Sequence, residues 1–142
     1  MNEIAAIVAI TLLFAAAGQA VAQAERVPLD GERAIGGVTI ACTGIGQERN
    51  DPRWNAYPVR IESSDTNRAM VADEIVSVSD RSGAVLATVQ CEGPWILLRP
   101  SAPGPYTVKG WLPGAPSASA GGAFRIPAKG QTRIELRFPV TP

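Results

Sequence analysis

Three groups of residues have types and spacing suited to chemistry: Cys42 and Cys91, the adjacent acids Asp73 and Glu74, and the aromatic stretch "RWNAY" from Arg53 to Tyr57. The chain holds no histidine. Zinc sites of the His-x-x-Glu kind, Ser-His-Asp triads and Cys-His relays therefore cannot be built from it. Asp73 and Glu74, if on a strand, point to opposite faces and cannot share a substrate, so they read as solvated strand ends. Two-carboxylate glycosidase chemistry can recruit distant partners, but no pair stands out here. In "ERNDPR", Glu48 and Asp51 interleave with Arg49 and Arg53, a poor version of the carboxylate-rich loop that calcium needs. The "GIG" of Gly44 to Gly46 lacks the third glycine and the Lys-Ser/Thr of a phosphate loop. The expectation is a non-enzymatic chain with no catalytic residue, no cofactor and no metal.

The aromatic stretch offers binding rather than bond-breaking. Trp54 lies in the polar run "DPRWNAY", flanked by Arg53 and Asn55, and is the tryptophan expected to be partly exposed. With Arg53 and Tyr57 it can form a platform that stacks on a sugar or anchors a partner. The favoured alternative has Trp54 folding back to cap one end of the domain, because tryptophan is mostly buried in proteins. Trp95 and Trp111 lie in expected strands and read as core.

The compartment follows from the N-terminus and the cysteines. Ile4 to Ala17 is an apolar run too short to span a bilayer comfortably, and the small-residue sites around Ala20, Ala22 and Ala24 follow it. Residues 1–24 are read as a signal peptide cleaved after Ala24, and residues 25–142 as a single domain. Glu3 and the lack of Lys or Arg before the run leave a membrane anchor as the alternative. Cleavage leaves 13 basic against 12 acidic residues, so nothing points to nucleic acid or to a membrane surface, and no stable membrane span remains. The expected localisation is periplasmic or secreted. In that compartment Cys42 and Cys91 are expected to pair as a structural disulfide. Closing a loop of about fifty residues contributes about 4 kcal/mol in the chain-entropy picture. Two free thiols or a redox pair are the alternatives, the second without Cys-x-x-Cys spacing.

The elements that would hold these residues are strands. No helical period appears after residue 25, whereas alternation recurs in "VTIACT", "YPVRIES", "EIVSVSD", "AVLATVQC", "YTVKGWL" and "TRIELRF". In "WILLR", Trp95 and Leu97 fall on one parity and Ile96 and Leu98 on the other, so this segment is expected to be covered on both faces. Turns are marked by Asp80 to Gly83, Gly93-Pro94, Pro103-Gly104-Pro105 and Lys129-Gly130. "PGAPSASAGG", residues 113–122, reads as a flexible loop. "GQERNDPRWNA" reads as a loop with at most one helical turn, cut at Asp51-Pro52. Pro58 and Pro127 suggest protected edges. About seven short strands at regular spacing predict an all-β, immunoglobulin-like or transthyretin-like two-sheet sandwich behind an N-terminal signal helix. Tyr106, after the Pro-Gly-Pro corner, is placed to lay its ring on the core and reach a backbone group with its hydroxyl.

The run "SVSDRSGAVLATVQCEGPWILLRPSAPGPYTVKGWL" resembles the carboxypeptidase regulatory-like (transthyretin-like, prealbumin-type) β-sandwich domain. The resemblance rests on Asp80 with Gly83, Gly93-Pro94, and Pro103-Gly104-Pro105-Tyr106-Thr107-Val108. "CTGIGQERNDPRWNAYPVRIE", Cys42 to Glu62, is similar to small exported bacterial proteins of this fold with no assigned activity. The resemblance implies a fold and is nearly silent on function. The hydroxyisourate-hydrolysing branch of the fold depends on histidine and a Tyr-Arg-Gly-Ser tail, whereas this chain ends "RFPVTP".

The expected function is that of a binding or interaction module of the bacterial cell envelope, working through an edge strand or through loops 43–57, 63–72 and 113–122. Its partner would be an envelope protein or a glycan. The alternatives are a carbohydrate or small-molecule binder using Trp54, and an accessory subunit of an envelope machine.

Overall fold

The structure, a computed structural model, describes residues 24–141. The expected signal segment lies outside the described residues except for Ala24. Ten strands form two five-stranded sheets. They are β1 (Glu25–Val27), β2 (Glu32–Ile35), β3 (Val38–Thr43), β4 (Val59–Ser64), β5 (Ile75–Ser79), β6 (Val85–Cys91), β7 (Trp95–Pro100), β8 (Tyr106–Leu112), β9 (Ala115–Phe124) and β10 (Thr132–Arg137). One sheet runs β1-β6-β5-β8-β9 and the other β10-β4-β7-β3-β2. The described residues form an all-β two-sheet sandwich.

The alternating segments become strands because one parity of each feeds a common core. Ile40 of β3, Ile61 of β4, Val76 and Val78 of β5, Val108 of β8 and Leu136 of β10 are all buried in it. Asp80 closes the β5–β6 hairpin, its Oδ1 accepting from the Ser82 amide at 2.9 Å and the Ala84 amide at 3.1 Å. Those bonds, with the Ser82 hydroxyl contributing most, hold its carboxyl below the usual range. Gly93 is required by close approach, since a Cβ there would lie 2.3 Å from the Thr43 carbonyl oxygen. The Gly93-Pro94 corner thus brings β7 in beside β3.

The Cys42–Cys91 disulfide is present, with Cα atoms 5.7 Å apart. It joins β3 of one sheet to β6 of the other, through two fully buried residues. Tyr106 stands at the Pro-Gly-Pro corner with its hydroxyl donating to the Ala102 carbonyl at 2.5 Å and its ring stacked on Phe124 at 5.3 Å. Tyr106→Phe keeps the stacking and loses the hydrogen bond. The expected cost is about 1 kcal/mol of unfolding free energy, read from the shift of the denaturant midpoint, and an unchanged midpoint would mean the hydroxyl pins nothing.

The structure differs from the sequence reading in five places. The described residues hold ten strands rather than about seven: β1 and β2 are short and charged with no apolar alternation to read, and β9 reads as a loop in the sequence. Residues 113–122 are not a flexible loop. From Ser117 onward, exposed Ser117, Ser119, Gly121 and Ala123 alternate with half-buried Ala118, Ala120 and Gly122 and then buried Phe124. The period is that of a strand, but small side chains hide it, and the ladder to β8 supplies the order. Pro58 does not mark an edge. It precedes β4, an interior strand that pairs parallel with β10 on one side and antiparallel with β7 on the other. Its carbonyl accepts from the Thr132 amide at 2.8 Å. Trp95 and Trp111 are half-buried rather than core. Glu74, expected at a solvated strand end, is fully buried.

Candidate functional site

The stretch 47–57 forms two 3-10 turns, Gln47–Asn50 and Pro52–Ala56. Asp51 caps the second turn, its Oδ1 accepting from the Arg53 amide at 2.9 Å, with Pro52 pre-set at the first position. The segment is braced once internally and fastened to the body of the domain at two further places. Trp54 Nε1 donates to the Glu48 carbonyl at 2.7 Å. Gln131 Nε2, from before β10, donates to the carbonyls of Trp54 at 3.2 Å and Tyr57 at 3.0 Å. Finally Trp54 and Tyr57 pack with Ala41 of β3 and Leu97 of β7 in an apolar cluster separate from the main core.

Ala41 and Leu97 are register partners, flanked by Glu32 of β2 on one side and Arg60 of β4 on the other. They occupy the outer face of their sheet. The 3-10 segment is therefore a roof over that face, which is why Leu97 is buried although its parity points away from the core. The expectation that this strand is covered on both faces holds for Ile96, Leu97 and Leu98.

Trp54 is not a partly exposed platform. Only 5% of it is accessible, its N–H is satisfied, and the Arg53 guanidinium lies 4.1 Å from its ring centre. Neither does it cap an end of the sandwich, since it lies on a sheet face. Tyr57 is equally buried. Burying both rings removes a large apolar area from water, which decides against exposure.

Beside this roof is a cavity of about 380 Å³ lined by Asp30, Glu32, Arg53, Trp54, Tyr57 and Arg99. The three residues singled out from sequence do meet here. The other polar lining was missed, and only Arg99 carried any signal, as the residue two beyond Leu97 on the same strand parity. The Tyr57 hydroxyl donates to the Glu32 carboxylate. Thr43 Oγ1 donates to Asp30 Oδ1 at 2.7 Å. Arg53 Nη2 donates to the Asp30 carbonyl at 3.2 Å, and its Nε stands 3.6 Å from Asp51. The Arg99 guanidinium lies over the Tyr57 ring at 4.7 Å.

Further along the same face, Arg60 lies over half-buried Trp95 at 4.0 Å and pairs with Glu62 at 2.9 Å. Burial lowers its pKa; Arg133, its cross-strand neighbour, acts the same way, and Glu62 opposes both. On the other sheet, exposed Asp73 stands 3.4 Å from Arg26, while Glu74 accepts a 3.0 Å hydrogen bond from Ser63 Oγ and leaves Oε2 without a partner. Burial pushes the Glu74 carboxyl up to about 9, aided by the Asp73 charge and opposed by its own backbone amide and by Ser63. The pair does not act together: one carboxyl faces solvent and the other is enclosed.

Among the described residues no group of three or more Cys, Asp or Glu side chains converges as a metal site requires. No helix among them is long and apolar enough to cross a membrane. Neither protein-family models nor curated proteins match this chain.

Removing the Gln131 anchor should loosen the roof without touching the sheets. Gln131→Ala is expected to cost about 1–2 kcal/mol for two lost hydrogen bonds. Amide exchange at residues 47–57 should rise ahead of exchange in β3 and β7; equal acceleration throughout would contradict a separately fastened roof.

Proposed function

We propose that this chain is a non-enzymatic binding module that works outside the cytoplasm, with the cavity between the 3-10 roof and the outer sheet face as its ligand site. One observation carries the reading. Residues from β2, β7 and the roof stand around a concave, polar-rimmed space, and the two Gln131 bonds tie the roof in place. Pre-formed concavity of a few hundred Å³ with a few convergent polar groups is what small-molecule sites have in common. The Cys42–Cys91 disulfide supports an oxidising compartment, and the apolar run at the N-terminus supports export. The two-sheet sandwich and the Tyr106 corner are compatible with the carboxypeptidase regulatory-like resemblance, which we retain as a proposal.

A stacked-sugar platform on Trp54 loses its support, since both that ring and Tyr57 are enclosed. A thermal-shift screen of small molecules and glycans from the cell envelope tests the cavity. At least one compound should raise the midpoint and perturb amides of residues 30–32, 53–57 and 99. A broad panel that leaves all of them unmoved would remove the reading.

A second reading, a docking module for an envelope protein, is favoured by the sheet edges. β1 and β2 are three and four residues long and carry Glu25, Arg26, Glu32 and Arg33; β10 carries Arg133, Glu135 and Arg137. β9 runs for ten residues without a charge. Natural edges are usually blunted by charge or shortness; β9 has neither, and although Ile134 of β10 packs close to Gly122, no strand among the described residues pairs with its outer edge, which makes it a strand-addition site. Ala123→Lys, at an exposed position, should abolish co-purification of such a partner with the melting midpoint unchanged; retention of the partner by the variant would exclude this edge.

A further inference from the structure

The charged groups around the cavity have unequal calls on them, and the imbalance names a ligand class. This inference rests on the cavity being the binding site. Asp30 spends one carboxylate oxygen on Thr43, and Glu32 spends one on the Tyr57 hydroxyl. Arg53 is engaged by the Asp30 carbonyl and by Asp51. Arg99 differs from all three. Among the described residues no carboxylate lies within ion-pair distance of it and no hydrogen bond engages its five donors, yet its guanidinium is oriented by the Tyr57 ring beneath it. Tyr57 is in turn fixed by the roof, so the exposed guanidinium fork rests on a rigid ring.

A fork of that kind is built for bidentate pairing with a carboxylate. The opposite requirement comes from Asp30 and Glu32, whose remaining oxygens accept and cannot donate. They repel a dianion and favour a hydroxyl or an ammonium group next to the anionic one. The space, about 380 Å³, takes a molecule of monosaccharide or amino-acid size with ordered water.

We propose that the cavity binds small monocarboxylates that carry a hydrogen-bond donor near the carboxylate, with Arg99 receiving the carboxylate and Asp30 and Glu32 receiving the donors. Sugar acids and free amino acids share that chemistry.

Titration calorimetry and amide chemical shifts on the disulfide-bonded protein test it with four probes: galacturonate, its uncharged methyl ester, galactose and alanine. Galacturonate or alanine should bind, with shifts at residues 30–32, 53–57 and 99, and affinity should fall as salt rises. Galacturonate binding identifies a sugar-acid site, alanine binding an amino-acid site. The ester and galactose should bind about tenfold more weakly than galacturonate or not at all. Arg99→Gln should weaken the bound acid by about tenfold or more at an unchanged melting midpoint, and Arg99→Lys should recover part of it. Galactose binding as tightly as galacturonate, or Arg99→Gln binding the acid unchanged, overturns carboxylate recognition while leaving the cavity a site for neutral molecules. Failure of all four probes overturns the inference as well, and the wider thermal-shift panel then decides the cavity reading separately.

Discussion

Replacing both Cys42 and Cys91 by alanine should lower the unfolding free energy by about 4 kcal/mol, read from denaturant midpoints against the oxidised native protein. The bridge closes 49 residues of sequence separation, and its absence releases that constraint in the unfolded chain. It also joins the two sheets through strands that share no ladder, β3 and β6. Domains of this size are stable by roughly 5–15 kcal/mol, so a loss of 4 takes a large share. Reductant should produce the same shift in the native protein and none in the double variant. A double variant that unfolds within about 1 kcal/mol of the native protein would show that the packed sheets alone restrain the chain.

The second large effect is a dependence of stability on pH that a domain without histidine would not otherwise show near neutrality. Glu74 has its carboxyl pushed up to about 9 in the folded protein. In the unfolded chain it titrates near the ordinary value of about 4.3. Below that value both states are protonated and the group contributes no difference. Between it and about 9 the unfolded chain releases the proton while the folded protein keeps it, so folding becomes less favourable as pH rises, by up to about 1.4 kcal/mol per pH unit. Glu74→Gln removes the titrating group and keeps an acceptor for Ser63. The variant should match the native protein near pH 4 and exceed it by roughly 4 kcal/mol at pH 7. Parallel stability curves for the two proteins across this range would mean that Glu74 ionises inside the fold or that the strand end opens to water.

How much of this was legible in the sequence depended on whether the information was local. The strands with large apolar residues at period two, such as "VRIES" and "TRIELR", announce themselves because each residue of one parity is large enough to fill the core. β9 escaped because Ala, Ser and Gly alternate just as regularly without contrast in size or polarity. The parallel pairings of β1 with β6 and β10 with β4 left no mark, since partners far apart in the chain are selected by packing rather than by a turn. Asp73 and Glu74 do part, one to solvent and one to the interior, but not by strand parity: both precede β5, Asp73 in a bend at φ 63°, and Glu74 turns inward to meet Ser63 of the facing sheet.

The site follows the same division. Arg53, Trp54 and Tyr57 stood out as an aromatic, basic cluster in a turn-rich loop, and composition could go no further. Whether Trp54 faced water or protein was decided by Ala41 and Leu97, small and large partners on neighbouring strands that offer it an apolar seat, and by Gln131, which ties its carbonyl down from more than seventy residues away. Asp30, Glu32 and Arg99 join the cavity only because β2, β3 and β7 lie side by side.

By itself, then, the sequence determined that chemistry needing histidine is missing, that the chain layers into two sheets, and that Cys42 had one partner available within it. Side-chain type and periodicity carry those facts residue by residue. The tertiary structure alone decided that a loop becomes a roof, that one of two neighbouring acids is enclosed, and that exposed Arg99 lies over the Tyr57 ring with no carboxylate beside it among the described residues. Those outcomes depend on distances between residues remote in the chain, which are set when apolar faces find each other and every buried polar group must meet a partner or go without.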